Sequence, residues 1–254
     1  MAARDRIKSV KKRADVLLVE GGHADSRARA RALILSGAVF AGEQRINKAG
    51  DMLAADTGLA VRRRDHPWVS RGGVKLAHGL ETFGIGVKDR VGLDIGASTG
   101  GFCDVLLAAG ARRVYAVDVG YGQLAWKLRQ DDRVVVLERT NARYLGAAEI
   151  PEPVEIIVCD ASFISLKKVL PAGLALAAGG ARLIALIKPQ FEVGKGQVGK
   201  GGVVRDAALR QQVCDDIGGW LTALPGWSVE GICESPITGP KGNVEYLIAG
   251  RYTP

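Results

Sequence analysis

LDIGASTGGF, residues 93–102, is the stretch that decides how this 254-residue chain folds. The apolar run that enters it reads as a buried strand, and Gly96, Gly100 and Gly101 let the backbone turn tightly beneath a ligand. The next apolar run, VYAVDV, closes at Asp118, 22 residues after Gly96. A carboxylate there accepts the two ribose hydroxyls of an adenosine cofactor. The glycines are spaced GxxxGG rather than the GxGxxG of a dinucleotide site. Asp94 precedes the turn, where it would repel a pyrophosphate but suit the ammonium of a methionine moiety. The reading is therefore S-adenosylmethionine rather than a nicotinamide dinucleotide. Its candidate ligands are Asp94, Gly96, Ala97, Ser98, Thr99, Gly100, Gly101, Phe102, Asp118 and Val119. Two later strand ends complete the pocket, with Asn141 and Ala142 in RTNAR and Asp160 in CDASF.

Outward from this stretch, strand and helix patterns alternate. Strands are expected at 91–96, 114–119, 134–138, 154–160, 181–188, 227–234 and 244–250. Helices fit near 73–83, 101–109, 121–130, 165–177 and 206–223. This predicts an α/β fold, a doubly wound, Rossmann-like sheet that is mostly parallel, with the ligand at the carboxyl ends of its strands. The last two strands are joined without a helix, so one of them must be antiparallel. The apolar run 169–187 approaches membrane length, but Pro171, the pair Gly179-Gly180 and Arg182 make it a helix, a glycine turn and a buried strand.

Ahead of this domain, residues 14–64 read as a small α/β unit. It has a short helix, a break at Gly21-Gly22, and a second helix capped by Asp25 or Ser26 that carries Arg27, Arg29 and Arg31. The segment 65–69, with Pro67, reads as a linker. Charge is divided unequally. The chain carries a net +8, of which residues 1–64 supply +7, with fourteen Lys+Arg against seven Asp+Glu. A basic quarter on a near-neutral body suggests a module for a polyanion. Arg27, Arg29, Arg31, Arg62, Arg63 and Arg64 are its candidate RNA-binding residues, and residues 1–13 form a basic extension.

Four cysteines (Cys103, Cys159, Cys214, Cys233) and three histidines (His23, His66, His78) are too scattered for a zinc cage or a disulfide scaffold, so no metal is expected. The start, MAARDRIKSVKKR, lacks an apolar segment of the secretory kind, which makes a reduced, cytoplasmic setting the expectation. In GKGQVGKGG, 194–202, the GxxxxGK spacing is met, but glycine stands where a phosphate loop needs Ser or Thr. It reads as a lid or substrate loop.

Polar residues that end buried strands carry the chemistry. Lys188 ends ALIK, Asp160 ends the preceding strand, Glu245 opens the last strand, and Lys75 lies on the first helix of the domain. Two lysines set among two carboxylates can balance charge while one amine stays neutral. That amine can take a proton from a hydroxyl as the hydroxyl attacks a sulfonium methyl.

Several strings together resemble the TlyA-type family of ribosomal RNA cytidine-2'-O-methyltransferases, long labelled haemolysins. They are SRGGVKL (70–76), LDIGASTGGF (93–102), DVGYGQLAWKLR (118–129), CDASFISL (159–166), IKPQFEVGKGQVGKGGVVRD (187–206) and GNVEYL (242–247). The resemblance implies an FtsJ/RrmJ-like methyltransferase domain at 70–254. It also implies, at 14–64, an RNA-binding domain similar to that of small-subunit ribosomal protein four. By motif position it implies a tetrad of Lys75, Asp160, Lys188 and Glu245, with Lys188 the proton acceptor, and ribosomal RNA or ribosomal subunits as the partner. The family's short interdomain linker, tied to cofactor binding, here reads HPWV at 66–69. Two other classes of function remain open at this stage: a membrane-active cytolysin, and a non-catalytic RNA-binding ribosome-assembly factor.

Overall fold

The computed structural model describes residues 10–35, 37–61 and 66–254. The chain divides into two compact units, Met1–Pro67 and Trp68–Pro254.

In the first unit, β1 (Lys11–Arg13) leads directly into α1 (Ala14–Glu20), and Gly21-Gly22 turns the chain toward α2 (Arg27–Leu35). Ser26 Oγ accepts from Arg29 N at 3.2 Å, so the expected cap forms at Ser26. Ala14, Leu18, Ala30, Ile34, Val39 and Ile46 build the small core. Four short strands follow: β2 (Val39–Ala41), β3 (Gln44–Arg45), β4 (Met52–Ala54) and β5 (Leu59–Val61). They form a three-stranded sheet, β3-β2-β5, and a β1-β4 pair.

In the second unit, α3 (Gly72–Thr82) precedes an alternating series. It runs β6 (Val91–Ile95), α4 (Gly101–Ala108), β7 (Arg113–Val117), α5 (Trp126–Arg129), β8 (Val134–Leu137) and β9 (Val154–Cys159). Then come α6 (Leu166–Val169), α7 (Pro171–Leu174), β10 (Ala177–Ile187), α8 (Pro189–Glu192), α9 (Ala207–Thr222), β11 (Trp227–Glu234) and β12 (Tyr246–Tyr252). The seven strands order as β11-β12-β10-β9-β6-β7-β8. Strands β10, β9, β6, β7 and β8 are parallel neighbours, and β12 runs antiparallel to both β10 and β11. This is the Rossmann-like, mostly parallel sheet that the alternation predicts. All five residues of β6 are buried, as a strand covered on both faces requires.

Three details differ from the sequence reading. Only Trp126–Arg129 of the expected helix 121–130 is helical, because Gly120 and Gly122 hold the preceding segment in a turn. The expected helix 165–177 is broken at Pro171, whose ring prevents continuation, into α6 and α7. Gly179-Gly180 is not a turn between helix and strand. It lies inside β10, where the register against β9 shifts between Ala177 and Arg182. Among the described residues no helix is long and apolar enough to cross a membrane.

Inverting β12 matters for the site. Its first residues come to the same sheet edge as the carboxyl ends of β6, β9 and β10, so Glu245 joins Asp160 and Lys188 there.

Candidate active site

The glycine turn after β6 is built for close approach. Gly96 (φ +84°) and Gly100 (φ +92°) both occupy the left-handed region. A Cβ on Gly96 would stand 2.9 Å from Ala161 Cα, which brings the turn against the segment after β9. Asp118 follows β7, and its carboxylate is oriented by Ser98 N at 2.8 Å and Gly120 N at 2.6 Å. Each oxygen retains a lone pair for a further donor. Val119, directly after it, is an exposed apolar side chain.

Asp94 is fully buried and reaches inward, its Oδ2 accepting from Cys103 N at 2.9 Å in the first turn of α4. Its other oxygen, Oδ1, is buried with no hydrogen-bond partner. Burial, reinforced by the charges of Asp160 and Asp118 and opposed by the Cys103 amide, pushes its carboxyl up to about 8. Asn141 Oδ1 accepts from Arg143 N at 3.1 Å and so caps a short turn, while Ala142 is packed in the core. Ala97 is buried and Phe102 packs beside it in the same core. Thr99 contributes its carbonyl, which accepts from Ala125 N at 3.2 Å.

The Asp118 and Asp160 carboxylates at one edge, a glycine turn too close for side chains, and free lone pairs on Asp118 suit a ribonucleoside that carries positive charge. The residues present thus fit S-adenosylmethionine.

The four tetrad residues come together as two ion pairs. Lys75 Nζ lies 2.5 Å from Glu245 Oε2, with both side chains buried. Lys188 Nζ lies 2.6 Å from Asp160 Oδ1. One hydrogen bond ties the first pair to the segment carrying Lys188. Gln190 Nε2, two residues after Lys188, donates to Glu245 Oε1 at 3.3 Å. A Cβ on Gly72, at the start of the helix bearing Lys75, would be 3.5 Å from Asp160 Oδ2.

Sequence reasoning missed several neighbours. Lys188 Nζ also donates to Ser162 Oγ at 2.9 Å and to the Asp160 carbonyl at 3.1 Å. Phe163, 90 % exposed with φ +64°, lies against Phe191 with ring centroids 4.9 Å apart and planes tilted by 47°. The signal available for Ser162 and Phe163 was their place in the strand-end string CDASF. Gln190 and Phe191 likewise follow Lys188 in IKPQF. The glycine-rich segment 194–202 carries a short turn and a Gly199–Val203 bridge, and the next helix begins only at Ala207.

In the first unit, Arg27, Arg29 and Arg31 are exposed on α2. Arg27 Nη2 is 2.9 Å from Asp15 Oδ2 and Arg31 Nε is 4.0 Å from it. Asp15 is itself buried and was not singled out in the sequence. The hydrogen bond from Arg13, with a further one from Arg27, lowers its carboxyl to about 2. Arg62, Arg63 and Arg64 lie outside the described residues.

A family model for FtsJ-like methyltransferases matches residues 68–252. The chain is 50 % identical over 237 residues to the 16S/23S rRNA (cytidine-2'-O)-methyltransferase TlyA of Mycobacterium tuberculosis (strain ATCC 25618 / H37Rv), covering 93 % of this chain and 88 % of that protein. It is 47 % identical over 241 residues to YqxC of Bacillus subtilis (strain 168), whose name refers to rRNA methylation, covering 94 % and 85 %. A solved Streptococcus thermophilus structure named as a hemolysin superposes with TM-score 0.74 at 40 % identity, covering 96 % of this chain and 90 % of that one.

Proposed function

Because the chain belongs to the FtsJ-like methyltransferase family, we propose that it methylates the ribose 2'-hydroxyl of cytidine in ribosomal RNA, with S-adenosylmethionine as methyl donor. The observation that carries this reading is the pairing of Lys75 with Glu245 and of Lys188 with Asp160 at the edge where the glycine turn lies. The substrate follows from half-identity, along nearly the whole chain, to a relative named for cytidine 2'-O-methylation of rRNA.

When bound, S-adenosylmethionine supplies an electrophilic methyl carbon on a cationic sulfur. Lys188 accepts the proton of the 2'-hydroxyl as the oxygen attacks the methyl carbon, the O–C bond forming as the S–C bond breaks. Asp160 balances the ammonium that results. Lys75 and Glu245 neutralise one another, and through Gln190 the pair is tied to the segment that carries Lys188. The adjoining Phe163 and Phe191 offer an exposed aromatic face to the target base. Asp118 holds the cofactor ribose. Residues 14–64 form the RNA-binding domain, with Arg29 free of ion pairs among the described residues to meet phosphate, 65–69 the linker, and 70–254 the methyltransferase domain. The enzyme works where ribosomal RNA is found, in the cytoplasm.

The test is transfer of labelled methyl to ribosomal subunits isolated from cells lacking the protein. The unaltered enzyme is expected to label cytidine 2'-O positions. Lys188→Ala is expected to abolish labelling while calorimetry still detects cofactor binding. Undiminished transfer by that variant removes Lys188 from its role, and no labelling of RNA by the unaltered enzyme overturns the substrate reading.

A further inference from the structure

A lysine that takes a proton has two N–H bonds and one lone pair before the transfer, and the lone pair must face the hydroxyl. An amine on a four-carbon stem turns freely about its last bond, so something must fix its rotation. Lys188 sits at the head of α8, and its side chain, only 8 % exposed, reaches back to the segment after β9. There Nζ donates along two directions, to the Asp160 carbonyl at 3.1 Å and to Ser162 Oγ at 2.9 Å. The Asp160 carboxylate, at 2.6 Å, is close enough to balance charge but lies off the line of a hydrogen bond. Two aligned acceptors are the number that the two N–H bonds of a neutral amine can satisfy. The third direction is left for the lone pair.

We propose that Ser162 is a positioning residue whose hydroxyl, with the Asp160 carbonyl, aims the Lys188 lone pair at the substrate hydroxyl. This rests on the methyl-transfer reading above. The carbonyl is fixed by the backbone, since Asp160 N donates to Ile95 O at 3.1 Å. The hydroxyl is held by the turn that follows it. Phe163 adopts φ +64°, a conformation that a residue with a bulky side chain keeps only when its surroundings enforce it. Its ring is pinned on Phe191, from the helix that Lys188 begins. During the transfer the 2'-hydroxyl proton arrives along the third direction. Nζ becomes an ammonium with three N–H bonds, and Ser162 accepts the same bond before and after.

The experiment compares Ser162→Ala and Ser162→Thr with the unaltered enzyme in steady-state methyl transfer to ribosomal subunits, with thermal midpoints and cofactor affinities measured alongside. Ser162→Ala is expected to lower kcat by about tenfold, the scale of a misaimed reacting group, with little change in the KM for RNA. Ser162→Thr keeps the hydroxyl and is expected to recover most of kcat. Unchanged kcat in Ser162→Ala overturns the proposal, as does a Ser162→Thr variant as slow as Ser162→Ala. So does a loss that tracks a fall in thermal midpoint or a rise in KM, which would mark a packing role. No transfer by the unaltered enzyme overturns the parent reading as well, whereas transfer that is indifferent to the hydroxyl overturns only this inference.

Discussion

Asp94 shows what burial adds to a residue whose position was legible in the sequence. The sequence places it near the end of β6 and expects an ammonium partner for it. The structure turns the carboxylate inward onto Cys103 N, where it anchors the start of α4. Full burial, with Asp160 and Asp118 nearby, then raises its carboxyl to about 8. An acid raised in this way holds a proton in the folded state that the unfolded chain has already released. Stability therefore falls as pH rises from about 4, the unfolded value, toward the raised value, and levels off above it. Asp94→Asn keeps an acceptor for Cys103 N and removes the titration. Thermal midpoints measured from pH 4 to pH 8 should decline less steeply for the variant; parallel curves would mean that another group titrates. Asn141 also caps its own turn, a local use that spacing alone does not reveal.

At the scale of elements, strand ends carry the site and the connections between them set its geometry. Strands, helices and their order were legible because buried parallel strands read as apolar runs and turns are marked by glycine and proline. Helix α5 was overestimated because its flanking segment is amphipathic enough to look helical, while Gly120 and Gly122 serve a turn around Asp118. The loop before β12 is where an element decides chemistry. Gly239 N donates to the Asn243 carbonyl at 2.8 Å, which folds the loop so that a Cβ on Gly239 would overlap the Glu245 carboxylate. Gly239→Ala should displace Glu245 from Lys75 and lower methyl transfer by about tenfold, with the unit still folded by circular dichroism. Full activity in that variant would show that the Lys75–Glu245 geometry is not needed.

For the whole molecule, the proposed function assigns RNA binding to the basic first unit and methyl transfer to the second. Residues 1–64 hold +7 of the net +8, and the unit Trp68–Pro254 has its own sheet and core. Deleting residues 1–67 should weaken binding to ribosomal subunits and flatten its dependence on salt, since fewer phosphates are neutralised. Cofactor binding by the remaining unit should persist in calorimetry. Binding to RNA with an unchanged salt slope would place the phosphate contacts in the methyltransferase unit instead. The sequence by itself determined the α/β alternation, the glycine turn with Asp118 behind it, the basic first quarter and the positions of Lys75, Asp160, Lys188 and Glu245 on the first helix and at strand ends, while the family resemblance singled them out as a tetrad. All of these are written in local periodicity, in strand-end position or in short strings. Only the tertiary structure decided that Lys75 meets Glu245 across 170 residues of chain, that Gln190 ties Glu245 to the segment carrying Lys188, and that Lys188 Nζ donates to Ser162 Oγ and the Asp160 carbonyl. The physical reason is that an antiparallel last strand brings distant segments to one edge, and hydrogen bonds depend on where atoms lie in space, not on how far apart they are in sequence.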